Sequence, residues 1–274
     1  MVDESVLGKI IVAADLGVDD VVLEIGPGFG VLTRELAGRV KKVFTVEIDK
    51  KLVKVLGKEL RDFKNIEVIN DDALKLEIRN WKLERYKLVA NLPYNITSAV
   101  LRKFLAEEPR PELLVLMVQK EVGERVCAGP GEMSLLSLAV QFYGRPEIVD
   151  FVSRKSFWPV PEVDSVIIKI TPKEAGEISR LTPGAGEKEF FRLARIGFSS
   201  RRKQLQNNLA NGLGMENKKI KKILEKLGLN PLVRAQDLSV EDWGRLTKIL
   251  KEEIRNNPPL SLQGGERPAC QSSY

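Results

Sequence analysis

The sequence predicts an α/β protein in which a mostly parallel sheet is followed by a small all-helical domain. Over the first two thirds of the chain, short β-branched apolar runs alternate with stretches of helical apolar spacing, which indicates repeated βα units. After a segment rich in proline and glycine at 171–186, apolar residues follow helical spacing alone. We therefore expect a sheet domain at residues 1–172, a linker at 171–186 and a helical domain at residues 187–255.

The sheet domain is predicted to begin with five buried strands, each a short and nearly continuous apolar run. Such runs are typical of parallel strands that helices cover on both faces. The strands are predicted at residues 21–25, 43–48, 66–69, 88–90 and 113–118, with helices at 31–37, 50–60 and 98–105. The alternation of strand and helix predicts a doubly wound sheet.

The remaining elements follow from the same periodicities. We predict a helix at 134–142, strands at 146–152 and 164–170, and four or five helices in the second domain, including 189–198, 201–209, 217–227 and 240–254. Segment 157–161 contains two prolines, which remove backbone donors and restrict the preceding residues, so regular structure is excluded there. Residues 256–274 lack apolar periodicity, and we predict a disordered tail.

Composition excludes several classes of protein. The 274 residues include no histidine and only two cysteines, Cys127 and Cys270, which excludes disulfide scaffolds, Cys/His zinc sites and Ser-His-Asp triads. No apolar run approaches the roughly 18 residues of a membrane span, and the acidic N-terminal segment is unlike a signal peptide. We expect a soluble cytoplasmic protein with no bound metal and no membrane partner.

The net charge of +6 is unevenly distributed along the chain. Residues 1–187 carry 27 Lys/Arg against 29 Asp/Glu, whereas residues 188–255 carry 16 against 8. A local surplus of this size favours a polyanionic partner, because neutralised phosphates release counterions. A solvated helical surface that only aids solubility explains the charge equally well.

The first motif is a glycine loop that connects a predicted strand directly to a predicted helix. It has the sequence Leu-Glu-Ile-Gly-Pro-Gly-Phe-Gly at 23–30, in which Gly26 and Gly28 allow a tight turn and close approach to a ligand. Glu47 follows at the end of the next strand, where an acid can accept both hydroxyls of a ribose. The pair favours a nucleoside ligand, although a plain strand-to-helix turn explains the glycines alone.

Two acids, Asp71 and Asp72, follow the strand predicted at 66–69. In a doubly wound sheet, ligands bind at the carboxyl ends of the strands, so one of these carboxylates is placed to accept a hydrogen bond from an adenine amino group. The alternative is a helix cap or an Asx turn.

A fourth motif, Asn91-Leu92-Pro93-Tyr94, comes directly after the fourth strand. The Asn91 amide oxygen and a carbonyl before or at Pro93 can accept the two hydrogens of an exocyclic amine, while Tyr94 stacks on its ring. A nucleobase must leave its helix to enter such a pocket. The alternative is an ordinary Asn-x-Pro turn with a buried tyrosine.

These four features together resemble class I S-adenosylmethionine-dependent N6-adenine methyltransferases, which have a Rossmann-like sheet. Longer segments narrow the resemblance to the rRNA adenine dimethyltransferase family of the small ribosomal subunit. They are Asn-Leu-Pro-Tyr-Asn-Ile-Thr at 91–97, Gln-Lys-Glu-Val at 119–122, Phe-Trp-Pro-Val-Pro-Glu-Val-Asp-Ser-Val at 157–166 and Phe-Ser-Ser-Arg-Arg-Lys-Gln-Leu-Gln-Asn-Asn-Leu at 198–209. The resemblance extends from about residue 3 to about residue 250.

The resemblance implies an enzyme that uses S-adenosyl-L-methionine to dimethylate N6 of two adjacent adenines. These adenines lie in a hairpin near the 3′ end of small-subunit rRNA, so the implied partner is the immature small subunit during ribosome biogenesis. We expect the enzyme to act as a monomer. Positioning of the amine and removal of water are expected to supply most of the catalysis, so the lack of histidine is no objection.

The resemblance also assigns roles to individual residues. It places Gly26 against the methionine part of the cofactor, Glu47 on the ribose and Asp72 on the adenine amino group, and it stacks Phe157 on the target adenine opposite Tyr94. The full sets are Gly26, Gly28, Glu47, Ile48, Asp72 and Asn91 for the cofactor, Asn91, Leu92, Pro93, Tyr94 and Phe157 for catalysis, and Arg201, Arg202 and Lys203 for rRNA.

Two alternative functions stay open at this point. One is the sister enzyme of macrolide-resistance type, which methylates large-subunit rRNA with nearly the same motif. The other is an inactive assembly factor that binds rRNA without turnover. Family members also carry a Gly-Gln-Asn-Phe-Leu stretch before the segment that begins here at Val2. Because that stretch closes over the cofactor in the family, we expect weaker cofactor binding by this chain.

Overall fold

The computed structural model describes residues 3–81, 83 and 85–256. Seven strands of these residues form one sheet. The strands are β1 (Val21–Ile25), β2 (Lys42–Glu47), β3 (Ile66–Asn70), β4 (Lys87–Asn91), β5 (Leu113–Gln119), β6 (Gly144–Val152) and β7 (Ser165–Pro172). Their order across the sheet is β3-β2-β1-β4-β5-β7-β6.

The first five strands are parallel, whereas β7 runs antiparallel to β5 and β6 runs antiparallel to β7. The predicted α/β class with a mostly parallel sheet is therefore confirmed. The chain moves outward from β1 to β3 and then returns to place β4 on the other side of β1. In doubly wound sheets, ligands bind at the carboxyl ends of the strands that flank such a reversal, which here are β1 and β4.

Eleven α-helices accompany the sheet in the described residues. They are α1 (Glu4–Ala14), α2 (Val31–Ala37), α3 (Lys50–Glu59), α4 (Thr97–Ala106), α5 (Lys120–Cys127), α6 (Leu135–Tyr143), α7 (Ala175–Leu181), α8 (Glu187–Gly197), α9 (Leu205–Leu213), α10 (Asn217–Lys226) and α11 (Val240–Asn256). Among the described residues, no helix combines the length and the apolarity needed to cross a membrane. The tail predicted at 256–274 lies outside the described residues, apart from Asn256, which ends α11.

The strands are buried on both faces, as their continuous apolar runs predict. Val22, Val89 and Met117 of the sheet pack in one cluster with Ile10 of α1 and Leu36 of α2. Strand residues of the opposite parity, whose side chains lie on the other face, are also buried; they include Leu23, Leu88, Leu114 and Leu116. The core therefore occupies both sides of the sheet and leaves its carboxyl edge for the loops.

Helix α1 runs antiparallel to the neighbouring strands. At its start, the Asp3 amide donates to the Ser156 carbonyl at 3.2 Å. At its end, the Lys87 ammonium, from the first residue of β4, donates to the Asp15 carbonyl. The amino end of α1 and the segment around Ser156 therefore lie at the carboxyl edge of the sheet.

The prediction of a linker at 171–186 is wrong. Strand β7 continues to Pro172, and Ala175–Leu181 forms α7. The glycine and proline content concealed this helix, but its Ile178 is buried and supplies the packing that stabilises so short an element. Helix α9 also differs, since it begins at Leu205 instead of 201, and residues 201–203 form a turn before it.

The chain divides into two compact units. Of the described residues, the sheet unit contains those up to Ala128 together with Leu136–Glu174. The helical unit contains Gly129–Leu135 and the described residues from Ala175 onward. The core of the helical unit is formed by large apolar side chains with no exposure, namely Phe190, Leu193, Leu205, Leu209, Trp243, Leu246 and Leu250.

Candidate active site at the carboxyl edge of the sheet

The glycine loop follows β1 and is held against two neighbouring segments. Gly26, Gly28 and Gly30 all have positive φ angles, of 69°, 57° and 75°, which side chains other than glycine rarely adopt. The Gly26 amide donates to the Val46 carbonyl of β2 at 3.0 Å. A Cβ at Gly26 would lie 3.2 Å from Cδ of Pro93, so the loop packs directly on the Asn-Leu-Pro-Tyr motif.

Gly28 differs from Gly26 in its surroundings. A Cβ built on Gly28 would meet no atom within 4 Å, so its backbone faces open space. A glycine with positive φ and no neighbour above it lets a ligand approach the main chain closely. The loop therefore combines a packed glycine next to the Asn-Leu-Pro-Tyr motif with an open one beside it.

Glu47 ends β2 and has little exposure. Its Oε1 accepts a hydrogen bond from the Asp49 amide at 2.9 Å. The Asn70 side-chain amide, at the end of β3, donates to the carbonyls of Glu47 at 2.8 Å and Ile48 at 3.2 Å. These bonds fix the turn after β2, and they leave the apolar side chain of Ile48 68% exposed beside the carboxylate.

Asp72 takes part in a local turn. Its Oδ1 accepts from the Leu74 amide at 2.9 Å, and its Oδ2 lies 3.9 Å from the Lys75 ammonium. The Asp71 carboxylate accepts from the Asp72 amide at 2.7 Å. The Asx turn that the sequence left open is therefore present, and a contact with the cofactor has to coexist with it.

The Asn-Leu-Pro-Tyr motif leaves β4 at Asn91. The Leu92 amide donates to the Met117 carbonyl of β5 at 3.1 Å, and the Leu92 side chain is buried. The Pro93 carbonyl accepts from the Ile96 amide at 3.2 Å and from the Thr97 hydroxyl at 3.4 Å. These hydrogen bonds fix the backbone of the motif, whereas the Asn91 side-chain amide has no hydrogen-bond partner among the described residues.

Tyr94 is held in place by a residue that sequence reasoning missed. Its hydroxyl lies 3.1 Å from the hydroxyl of Ser165, the first residue of β7, and Ser165 is buried. The Ser165 position falls within the Val-Asp-Ser segment of the sequence, but nothing in the sequence indicates which residue it contacts. The bond connects the Asn-Leu-Pro-Tyr motif to the antiparallel part of the sheet.

Phe157 follows a short 3₁₀ turn at Arg154–Ser156 and has extended backbone. Its side chain is partly buried and packs against the apolar cluster that includes α1 and the sheet. Segment 157–161 contains no helix or multi-residue strand, as its prolines predict. Because Ser156 lies beside Asp3, Phe157 is at the same edge of the sheet as the glycine loop.

Glu24 is a second residue that sequence reasoning missed, two positions before Gly26. It lies fully buried in β1, where its Oε2 accepts a hydrogen bond from the Thr33 hydroxyl of α2 at 2.6 Å. Burial raises the pKa of Glu24 to about 7, against the opposing effect of its hydrogen-bonded neighbours. An acid within an apolar strand is the signal that could have identified it.

The basic segment Arg201–Lys203 belongs to the helical unit. All three side chains are exposed, and they lie in the turn before α9. The buried Asn208 side chain fixes the preceding loop by donating to the carbonyls of Gly197 at 2.6 Å and Ser200 at 3.0 Å. Asn208 belongs to the motif at 198–209, but the sequence alone indicates no role for it.

The structure thus brings the glycine loop, Glu47 and the Asn-Leu-Pro-Tyr motif to one edge of the sheet, where Phe157 also lies. Gly26 contacts Pro93 and is bonded to Val46, the residue before Glu47. This arrangement can hold a nucleoside ligand along the strand ends with its reactive group beside Asn91.

Comparison of the sequence with families of known proteins gives a match over most of its length. A profile described as ribosomal RNA adenine dimethylase matches residues 1–252. The chain is 46% identical to a ribosomal RNA small subunit methyltransferase A from Dehalococcoides mccartyi, over 92% of this chain and 86% of that protein. It is 38% identical to a protein of the same name from Clostridium botulinum, over 91% and 90% of the two chains.

Two solved structures share the architecture of both units. The crystal structure of a dimethyladenosine transferase from Plasmodium falciparum matches with a TM-score of 0.76 and 32% identity, over 93% of this chain and 98% of that one. The crystal structure of the 23S rRNA methyltransferase ErmE matches with a TM-score of 0.70 and 30% identity, over 91% and 98%.

Proposed function

This chain belongs to the ribosomal RNA adenine dimethylase family, and we propose that it transfers methyl groups from S-adenosyl-L-methionine to N6 of two adjacent adenines of small-subunit rRNA. Relatives with 38–46% identity bear the name of a small-subunit methyltransferase. We place the two adenines in a hairpin near the 3′ end, within the immature subunit. The contact between Gly26 and Pro93 carries the proposal, because it joins the nucleoside-binding loop to the amine-binding motif.

The residues at the strand ends fit the proposed cofactor. The open backbone of Gly28 and the packed turn at Gly26 would receive the methionine part, and the Glu47 carboxylate would accept from the ribose hydroxyls. The exposed side chain of Ile48 provides an apolar surface for the adenine ring, and the Asp72 carboxylate accepts from its amino group. When bound, S-adenosylmethionine supplies an electrophilic methyl group on a positively charged sulfur.

The Asn-Leu-Pro-Tyr motif orients the target amine. The Asn91 amide oxygen accepts one N6 hydrogen. The Pro93 carbonyl already serves two donors, so we assign the second acceptor to the Leu92 carbonyl. Two acceptors draw the N6 hydrogens out of the ring plane, which makes the nitrogen lone pair more available to the methyl carbon. Tyr94, on one side, and Phe157, on the other, hold the ring flat while the reaction proceeds.

Methyl transfer to N6 requires no strong base, because the proton is released only after the nitrogen has been methylated. The new C–N bond at N6 would replace the bond between the methyl carbon and the sulfonium sulfur, so the bound cofactor would supply both the methyl group and a neutral leaving group. The methylated nitrogen briefly carries the positive charge and then releases a proton to water. Burial of Leu92 and the packing of the loop on Pro93 keep the acceptors in place, so positioning provides most of the acceleration.

We assign rRNA binding to the helical unit, within the predicted domain 187–255. Arg201, Arg202 and Lys203 are exposed in the turn before α9 and are suited to phosphate contacts. The sheet unit, within the predicted domain 1–172, binds the cofactor and the flipped adenine. We further propose that the enzyme works as a monomer in the cytoplasm and uses no metal.

The alternative of a large-subunit enzyme is not favoured. Relatives with 38–46% identity carry small-subunit names, whereas the 23S rRNA methyltransferase ErmE is 30% identical. The other alternative, an inactive assembly factor, predicts binding without turnover. The Asn91 side-chain amide argues against it, because it is only partly buried and has no hydrogen-bond partner among the described residues, whereas a motif retained only for packing has no need of an unpaired acceptor.

The proposal is tested by transfer of radiolabelled methyl groups from S-adenosylmethionine. Immature small subunits, purified large subunits and a reaction without RNA are compared, and the product is identified by nucleoside analysis. We expect N6,N6-dimethyladenine in the small subunit alone. Asn91→Ala is expected to lower the rate by about 100-fold or more, since it removes one acceptor that positions the amine.

The matched control is Asn80→Ala, which changes an exposed asparagine of the same unit in a 3₁₀ turn between β3 and β4. Label in large subunits would instead support the macrolide-resistance type of enzyme. Tight binding of small subunits with no label and no effect of Asn91→Ala would support the inactive assembly factor.

A further inference from the structure

Trp158 stands out on the surface of the sheet unit because its side chain is 80% exposed. Val160 and Val163 of the same segment are exposed as well. Aromatic side chains of this size usually bury most of their surface, and exposed tryptophan is typical of binding surfaces. Trp158 has no part in the proposed binding of the cofactor or in the proposed methyl transfer.

The segment that carries Trp158 is anchored on both sides. Before it, Phe157 packs on the apolar cluster of the sheet unit. The Arg154 amide donates to the Asp164 carboxylate at 2.9 Å, and the Arg154 guanidinium donates to the Glu162 carbonyl at 3.0 Å. These two bonds close the segment into a loop, so the indole is presented on an ordered base. Binding to an ordered side chain costs less conformational entropy than binding to a mobile one.

Two fixed points locate this loop at the carboxyl edge of the sheet. Ser156, two residues before Trp158, is bonded to Asp3 at the amino end of α1. Ser165, seven residues after Trp158, lies 3.1 Å from the Tyr94 hydroxyl. Trp158 therefore lies on the segment that connects the edge near Phe157 to the residue that holds Tyr94.

The charge beside Trp158 suits a nucleic acid. Arg154 and Lys155 are exposed, and within the described residues neither forms an ion pair with a carboxylate. A stacking aromatic ring next to cations is the combination with which proteins hold single-stranded nucleic acids, the ring for a base and the cations for the backbone. The sheet unit has no overall positive charge, so these cations form a local feature.

We propose that Trp158 stacks on an unpaired nucleobase of the rRNA that neighbours the target adenine. This inference rests on the proposed function, because it concerns the same substrate. Stacking of a base on an aromatic side chain contributes about 1–3 kcal/mol. Loss of the indole therefore raises KM for small subunits by about 5-fold to 150-fold, while affinity for S-adenosylmethionine and kcat at saturating subunits stay unchanged.

The experiment compares Trp158→Ala, Trp158→Phe and the wild type in methylation of immature small subunits, with cofactor affinity measured by calorimetry. We expect a large increase of KM for Trp158→Ala and a smaller one for Trp158→Phe, which keeps a stacking ring. Val18→Ala is the matched control, because Val18 is an equally exposed apolar residue of the sheet unit, at 80%, and it lies in the segment before β1. It is expected to leave KM unchanged.

Fluorescence gives an independent readout of contact. Trp243 is fully buried and Trp81 is partly buried, whereas Trp158 is 80% exposed, so Trp158 is the tryptophan most accessible to a base. Titration with a hairpin RNA that has two adjacent adenines in its loop is expected to quench the emission of the wild type. The same titration of Trp158→Phe is expected to show no quenching beyond that of a fully paired control duplex.

The outcomes separate this inference from the proposed function. Unchanged KM in Trp158→Ala, with no quenching in the wild type, overturns the stacking role and leaves the methyltransferase intact. A loss of kcat or of cofactor affinity without a change in KM also overturns it, since the indole then supports the fold. Self-association that Trp158→Ala abolishes at unchanged KM assigns the surface to a second copy of the chain. Failure of the wild type to methylate any subunit overturns the proposed function itself.

Discussion

Glu24 shows how a buried acid makes the stability of the sheet unit depend on pH. Burial raises the pKa of this carboxyl from 4.5 to about 7, so the folded chain retains a proton between these values that the unfolded chain releases. The folded state then binds more protons, and the free energy of unfolding falls as pH rises through this window. The total loss is on the order of 3 kcal/mol.

Glu24→Gln is expected to remove this loss, since the amide oxygen still accepts from Thr33 and carries no charge. Urea unfolding between pH 5 and 8 measures the effect, and the variant should become more stable than the wild type toward pH 8. Thr33→Val removes a hydroxyl that favours the carboxylate, so it should extend the window to higher pH. Parallel pH profiles for the wild type and Glu24→Gln would contradict the assignment.

Tyr94 illustrates how a ring and its hydroxyl serve different purposes. The hydroxyl is bonded to Ser165, whereas the ring is assigned to the target adenine. Tyr94→Phe keeps the ring, so we expect a rate within about threefold of the wild type and a loss of about 0.5–1.5 kcal/mol in stability. Tyr94→Ala removes the ring and is expected to lower methyl transfer by about 100-fold.

A double-mutant cycle with Ser165→Ala tests the hydroxyl contact separately. The two stability losses should fail to add, because each single substitution already breaks the same bond. Additive losses would show that the hydroxyls do not interact in solution. Equal rates for Tyr94→Phe and Tyr94→Ala would show that the ring has no catalytic part.

Helix α5 packs on β7 through a glycine. A Cβ on Gly123 would lie 2.2 Å from Cγ1 of Val166, so the helix and strand approach more closely than any larger residue allows. Gly123→Ala is expected to destabilise the protein by about 1–3 kcal/mol through overpacking. Removal of the opposing methyl groups in Gly123→Ala/Val166→Ala should recover part of this loss.

Gly57 of α3 provides the matched control for Gly123. It also lies within a helix of the sheet unit, but a Cβ there would meet no atom within 4 Å. Gly57→Ala should therefore stabilise the protein by about 0.5–1 kcal/mol, because alanine loses less backbone entropy in a helix. Urea unfolding compares the two variants, and equal effects would show that the close approach at Gly123 is absent.

The strands were the most predictable elements because their residues are buried on both faces. The prediction at 21–25 coincides with β1, and the others differ from the observed strands by one or two residues at an end. Helices α1 and α5 were not predicted, although the first combines an Asp3 cap with apolar residues at helical spacing. The apolar residues of these two helices adjoin strand-like runs or charged stretches. Periodicity alone does not show where such a neighbouring segment ends and the helix begins.

The candidate site was predictable as far as single motifs allow. Each motif lies at the end of a strand, and strand order then brings Gly26, Glu47 and Asn91 to one edge. Contacts between distant segments were not predictable, and these include the bond of Tyr94 to Ser165 and the burial of Glu24. These contacts depend on which side chains of distant segments meet in the folded chain. The sequence alone does not specify those pairs.

Across the whole chain, the surplus of positive charge is confined to residues 188–255, so the helical unit is expected to dominate the electrostatic attraction to rRNA. Helix α10 sharpens this expectation. Two of its five lysines are paired, Lys219 with Glu253 at 2.6 Å and Lys221 with Glu225 at 4.0 Å. The other three, Lys218, Lys222 and Lys226, are exposed at intervals of four residues, and none has an ion pair within the described residues.

The row of lysines on α10 begins next to α9, the helix that follows the basic turn at Arg201–Lys203. The Asn217 side chain, at the start of α10, donates to the Asn207 side chain in the first turn of α9 at 2.8 Å. The bond places the start of the lysine row next to the helix that the basic turn precedes. Like charges four residues apart destabilise an isolated helix. A phosphate backbone along the row would neutralise the lysines and so remove this destabilisation.

Salt dependence of rRNA binding measures the contribution of this surface. Each lysine that contacts a duplex phosphate adds about 0.9 to the slope of log affinity against log salt, so Lys218→Gln/Lys222→Gln/Lys226→Gln should reduce that slope by up to about 3. The matched variant Lys219→Gln/Lys221→Gln lowers the charge of the same helix but removes lysines already paired with acids, and it should change the slope by less than 1. Cofactor affinity, measured on the same proteins, should be equal in all of them, because the strand ends of the sheet unit bind the nucleoside. If the two sets reduce the slope equally per lysine, rRNA responds to the net charge of the unit and not to the row on α10.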